Sequence, residues 1–222
     1  MNNYDAVTWS TVFKAMGVHQ PEIDVWATIT SHVIHKDTFD GGDEELAQFL
    51  GQCVHESDFF TSMEENFNYS PEGLIATFGS QRVSQAQAQA LGRVQGQHAA
   101  NRQGIANLVY GGEWGRTHLG NTQPNDGWDF RGSGWIQTTG RDNFARAEKD
   151  TGFPFTSNPD LMRQPGVQAL QAQISWWKRN ITMEMLTDDV ALRKKVNTKG
   201  LGLDHTRSLT TAARTVISTL QG

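Results

Sequence analysis

Apolar positions recur at helical spacing along much of the chain. Trp9, Val12, Phe13 and Met16 form one stripe, ended by Gly17. Ile23, Trp26, Ala27, Val33 and Ile34 form a second, and Asp40-Gly41-Gly42-Asp43 reads as a loop. The clearest helix is DEELAQFLGQCVHES. Acidic residues crowd its first turn, where they complement the helix dipole. Leu46, Phe49, Leu50, Cys53 and Val54 follow the i, i+3, i+4, i+7, i+8 pattern of one buried face. A further helix is predicted from Pro71, with Ser70 as its N-cap.

Residues 83–103 are rich in Ala and Gln and poor in large apolar groups. They read as an exposed helical excursion, a small lobe over about 80–105 within one domain spanning 1–222. From 110 to 135 glycine, Asn, Asp and Trp dominate and helical periodicity is lost. This predicts a long irregular stretch, and such loops in compact domains are usually functional. Helical pattern returns after Gly140 and over 165–179, where Val167, Leu170, Ile174 and Trp177 share a face. At most Trp135-Ile136-Gln137-Thr138 is a short strand, so the class is mainly α.

Composition narrows the function classes. The 222 residues carry 19 Lys plus Arg against 24 Asp plus Glu, a net charge of −5. No basic run exceeds Arg193-Lys194-Lys195, so nothing favours a nucleic-acid partner. No apolar run reaches the ~18 residues of a membrane span. The start, MNNYDAVTW, lacks the basic and apolar regions of a secretory signal. The one cysteine, Cys53, has no internal disulfide partner, which fits folding in a reducing cytoplasm. Action outside the membrane then requires something else to release it.

Two glutamates stand out. With ~100° per residue, Glu56 falls roughly 90° from the centre of the apolar stripe. A carboxyl on that flank is partly desolvated, which raises its pKa and suits a general acid. Glu65 lies nine residues on. On a continuous helix it would be ~13 Å away along the axis and on the opposite face. Carboxyls flanking one glycosidic bond must be closer, about 5–10 Å. A working pair therefore needs the chain to leave the helix near Ser57 and bring Glu65 back. Ser57-Asp58-Phe59-Phe60-Thr61-Ser62 permits this. Ser62-Met63-Glu64-Glu65 is also a possible capping box, and Glu64 competes with Glu65 for an acid or base role.

The runs FLGQCVHESDFFTSMEENFNYSPEGL and YGGEWGRTHLGNTQPNDGWDFRGSGWIQTTGRDNF resemble glycoside hydrolase family 19. Within it they look like phage endolysins and related bacterial lysozymes. His55-Glu56-Ser57, Glu65-Asn66-Phe67-Asn68-Tyr69-Ser70 and the loop from Arg131 to Arg141 carry the resemblance. It is strong over about 45–80 and 106–146 and weaker over 158–177 and at Val196-Asn197. Ser133 stands where a second Arg is common, and Thr138 where Leu is common. Asn197-Thr198-Lys199-Gly200 replaces the usual Asn-Gly-Gly.

The resemblance implies a mainly α, lysozyme-like fold of two lobes with a central cleft and little or no β. It implies Glu56 as general acid, Glu65 as general base and Thr139 as the hydroxyl holding the attacking water. Gln137 and Asn143 match cleft-lining groups; Tyr69, Trp128, Arg141 and Asn197 join them as candidate substrate contacts. Asn66 and Asn68 are expected to donate hydrogen bonds to ionised Glu65. Trp114, Trp128 and Trp135 suit stacking on sugars, and Trp176 and Trp177 suit the core. The reaction so implied is inverting hydrolysis of β-1,4 bonds between N-acetylmuramic acid and N-acetylglucosamine in peptidoglycan, by a monomer with no metal or organic cofactor that reaches the cell wall through a separate holin. The alternatives are a chitinase of the same family and a non-catalytic wall-binding module. A zinc peptidase is disfavoured because residue 59 is Phe where His55-Glu56 would need His. A cysteine amidase is disfavoured because Cys53 lies within the apolar stripe.

Overall fold

The structure is a computed structural model and describes residues 4–219. The first three helices follow the apolar stripes. α1 (Ala6–Ala15) is capped by Asp5, whose carboxylate accepts from the Thr8 N–H at 2.8 Å. α2 spans Glu22–Val33 and α3 spans Gly42–Glu56. Then come α4 (Pro71–Phe78), α5 (Gln85–Leu91), α6 (Arg102–Tyr110), α7 (Gly112–Leu119) and the single turn α8 (Asp126–Asp129). α9 (Arg141–Thr151), α10 (Val167–Asn180), α11 (Asp189–Val196) and α12 (Leu203–Thr219) complete the chain, with short 3-10 turns at Pro159–Met162 and Met185–Thr187. Pro71 opens α4, and the Ser70 hydroxyl accepts from the Gly73 N–H at 3.1 Å.

Two expectations are corrected. The stretch 110–135 is not wholly irregular, because α7 and α8 interrupt it. Their apolar content is too low for a periodic signal. Trp135–Thr138 is no strand. Residues 134–137 form a turn closed by reciprocal hydrogen bonds between Ser133 and Thr138, at 3.0 and 2.8 Å. Among the described residues there are isolated β-bridges but no strand. Residues 83–103 hold one short helix, α5, and a turn closed by the Val94–His98 bridge.

α3 is the central helix, with every residue from Glu45 to Val54 buried. α12 covers the face that carries Gln48 and Gln52. The two helices meet closely at Gly51, where a Cβ would stand 2.2 Å from the Thr210 hydroxyl. The polar residues thus buried find partners. Glu45 accepts from the Trp177 indole N–H at 2.8 Å, and Gln48 donates to the Leu186 carbonyl at 2.8 Å.

Three apolar cores result. The first joins α1, α2, α3, α10 and α12 around Trp9, Trp26, Phe49, Trp135 and Trp177. The second gathers Phe67, Leu74, Val83, Ala88, Ile105 and Val109 from α4 to α6 and their flanks. The third holds Phe130, Phe144, Phe155 and Met162. Met63 belongs to the first core and Phe67 to the second. Residues 64–66 therefore run along the seam between them.

Candidate active site

α3 ends at Glu56, and the chain reverses by an unusual turn. Asp58, Phe59 and Phe60 have φ of 48°, 56° and 70°, all left-handed and none of them glycine. Such a conformation costs about 1–2 kcal/mol per residue. Ser57 holds the turn. Its hydroxyl donates to the Cys53 carbonyl at 2.6 Å and accepts from the Phe60 N–H at 3.0 Å. The Ser62 N–H returns to the Ser57 carbonyl at 2.8 Å, and the Phe60 ring stacks on Trp135 at 4.2 Å. The returning segment pairs with the 131–139 loop: Glu65 N–H donates to Gly132 at 2.9 Å and Gly134 N–H to Met63 at 2.8 Å. No capping box forms at Ser62, because no helix starts there.

Glu65 is largely buried. The Tyr110 hydroxyl lies 2.9 and 2.8 Å from its two oxygens and donates its one proton to them. Burial raises the Glu65 pKa, opposed by Tyr110, the Gly132 backbone and the charge of Arg131. Burial and the neighbouring Glu65 charge keep the Tyr110 phenol protonated far above its ordinary range. Asn66 and Asn68 do not serve as the expected donors. Both are exposed, and the Asn68 N–H turns back to the Asn66 side chain at 3.0 Å. Glu64 points away and pairs with Arg131 at 2.6 Å.

Opposite Glu65 stands the 132–139 turn. A Cβ on Gly132 would lie 2.8 Å from the Gln137 amide oxygen and 3.1 Å from a Glu65 oxygen, so this position takes no side chain. Gln137 itself has φ 54°. Its carbonyl accepts from the Thr139 hydroxyl at 2.9 Å, which leaves the Thr139 oxygen as an acceptor. The Asn143 amide donates to the Thr139 carbonyl at 2.8 Å. Tyr69 is half-buried, and burial and the Glu65 charge raise its phenol pKa.

Glu56 forms an ion pair with Arg193 of α11. The Arg193 side chain is 1% exposed. Its other donors reach Gln52 at 2.7 Å and the Leu201 carbonyl at 2.6 Å. Beside it the Nδ1 atoms of His55 and His205 are 2.8 Å apart, so one ring donates and the other accepts. Burial and Arg193 lower the His55 pKa. Cys53 is fully buried, and burial pushes its thiol up, which suits packing and not nucleophilic attack.

The remaining candidates are placed as follows. Arg141 pairs with buried Asp126 at 2.8 Å and lies over the Phe130 ring, bracing the loop. The Arg131 guanidinium covers a face of Trp128 at 3.8 Å. Asn197 closes α11, its side chain accepting from the Lys199 N–H at 3.1 Å. Trp135 is in the core, and Trp114 carries Arg82 on its ring and stacks with His118. Arg193 and Tyr110 were not singled out from sequence. Arg193 sits in a run that reads as a solvated charge cluster, and Tyr110 precedes two glycines with no periodic signal.

The helical arrangement is that of chitinase C from Streptomyces griseus. The two superpose with a TM-score of 0.54 at 13% identity, over 98% of this chain and 95% of that one. A mutant of chitinase C gives a TM-score of 0.52, also at 13% identity and with the same coverage. At that identity the likeness is one of fold. In sequence, the chain is 39% identical over 105 residues to a glycosyl hydrolase family 19 domain-containing protein of Haemophilus influenzae. That match covers 47% of this chain and 48% of the relative, so the chain matches about half the length of the curated relative. No family model matches.

Proposed function

We propose that the protein is a glycoside hydrolase that cleaves β-1,4 bonds between N-acetylated amino sugars, with peptidoglycan strands as its substrate. One observation carries the reading: Glu65, desolvated on the seam between two cores, is gripped by Tyr110 and faces the Gln137–Thr139 turn. A strained reversal after α3 is maintained to bring it there. The similarity to a glycosyl hydrolase family 19 domain-containing protein and the chitinase C fold support the same class.

In this mechanism Glu56 protonates the leaving oxygen while Glu65 takes a proton from a water on the opposite face of the sugar. The Thr139 oxygen accepts a hydrogen bond from that water. Glu56 must take up a proton before giving one, and so must loosen from Arg193. Arg193 keeps Gln52 and the Leu201 carbonyl as partners when it does. Glu65 must be ionised, and its burial makes it a stronger base once it is. The peptidoglycan preference rests on the likeness of the motifs to endolysins. Release of reducing ends from purified peptidoglycan and from chitin oligomers, measured side by side, tests the proposal. Cleavage of peptidoglycan supports it, cleavage of chitin alone makes the protein a chitinase, and binding without cleavage makes it a wall-binding module.

A further inference from the structure

Among the described residues, Arg82 is a cation without a counter-ion beside the seam. The arginines around the site are ion-paired: Arg131 with Glu64, Arg141 with Asp126, Arg163 with Asp160 and Arg193 with Glu56. Among the described residues Arg82 has no carboxylate partner. It is half-buried, its guanidinium carbon 3.6 Å over the Trp114 ring and 5.6 Å over Phe78. One nitrogen donates to the Val109 carbonyl, and the group interacts electrostatically with Tyr110, the residue that holds Glu65. A guanidinium carries five N–H donors, so several stay available. Desolvation acts against its charged form. A partly buried charge is costly unless it is paired, and a bound anion removes that cost.

The candidate polymers differ in charge. Chitin is a neutral chain of N-acetylglucosamine. In peptidoglycan every second sugar carries a lactyl group, whose carboxylate is either free or extended by a stem peptide with carboxylates of its own. The −5 net charge supplies no general attraction to such an acidic strand, so discrimination in its favour needs a local cation. Trp114 and Phe78 pack against the guanidinium, which limits its freedom and suits the forked recognition of a carboxylate.

We propose that Arg82 binds a carboxylate of the lactyl or stem-peptide substituent of a strand lying along Glu65, and so sets a preference for peptidoglycan over chitin. The path of the strand rests on the glycosidase reading. The test is calorimetric binding in the cold to wild type and to Arg82→Gln. The probes are peptidoglycan fragments with stem peptides, peptide-free fragments with free lactyl carboxylates, and chitin oligomers. The readout is the ratio of affinity for acidic fragments to affinity for chitin. Wild type should prefer the acidic fragments, and Arg82→Gln should reduce that ratio about tenfold, the worth of one charge-assisted hydrogen bond. A loss seen with peptide-free fragments identifies the lactyl carboxylate; a loss confined to peptide-bearing fragments identifies the stem peptide. Arg82→Lys keeps part of the preference, because the charge remains without the fork. Equal weakening on all three probes would show a merely structural arginine and overturn the proposal, as would an unchanged ratio or no preference in wild type. Failure of the glycosidase reading registers separately, as no reducing ends from any probe with wild type, while the binding ratio stays readable.

Discussion

At Glu65 two demands conflict. As the proposed base it must be ionised, yet burial favours its neutral form. The Tyr110 hydroxyl offsets part of the cost by donating to the carboxylate. Tyr110→Phe should therefore raise the Glu65 pKa further. A base fails as pH falls through its pKa, so the acidic limb of the kcat/KM profile should move to higher pH. A hydrogen bond to a charged group is worth about 1.5–3 kcal/mol, roughly one to two pH units. An unshifted limb would show that Tyr110 does not act through Glu65. The same conflict has a consequence for stability. A carboxyl whose folded pKa is raised contributes stability that is fully present at pH below its unfolded pKa and is lost as pH rises through the folded pKa. Glu65→Gln should abolish turnover and raise Tm near neutrality, because the buried charge is removed. The gain should vanish at pH below ~4.3, where glutamate in the unfolded chain is also neutral. Thermal melts of both proteins across pH check this. The sequence pointed to Glu65 as a candidate, but its partner could not be read there. Tyr110 is 45 residues away and meets Glu65 only through packing of the second core.

Between α3 and the 131–139 loop, the left-handed turn is the element on which the site depends. The requirement that the chain leave its helix near Ser57 followed from helix geometry once Glu56 and Glu65 are taken as a pair. Its manner did not, since three successive left-handed residues without glycine violate local preference. They persist because Ser57, Cys53 and the Phe60–Trp135 stack over-determine the turn. Ser57→Ala should cost about 1–3 kcal/mol, the range for leaving a buried donor unsatisfied, here the Phe60 N–H. It should also lower kcat more than it raises KM, because Glu65 loses its fixed place. Denaturant unfolding and steady-state kinetics on one preparation would show both effects. A folded, fully active variant would mean that the turn does not position the base. Helices with a clear apolar stripe, α1 to α3, α9 and α10, were legible in the sequence. α11 and α12 were not, because Thr206 and Thr210 occupy inward positions of α12 where a stripe calls for large apolar groups. Those small side chains are what let α12 approach Gly51 of α3.

Over the whole molecule, Arg193 is the joint that ties the site to the scaffold. It connects Glu56 and Gln52 on α3 with α11 and the turn at Leu201. Replacing one member of a buried ion pair costs about 3–5 kcal/mol, because the other charge is stranded. Arg193→Met should therefore be strongly destabilised, and Glu56→Gln in the same chain should recover part of the loss by removing the stranded carboxylate. A thermal melt of the three variants measures that coupling. The mainly α class was legible from periodicity, whereas burial of α3 on all sides was not. Gln48 and Gln52 are polar yet buried, and their partners, the Leu186 carbonyl and Arg193, come from segments more than 130 residues further along the chain. In the proposed mechanism Glu56 and Glu65 hydrolyse a β-linked amino-sugar chain by direct attack of water. Proton NMR of the first product formed from a soluble peptidoglycan oligomer distinguishes this from retention. Inversion places the α-anomer at the new reducing end, followed by slow mutarotation. A β-anomer formed first, or no new reducing end at all, would contradict it.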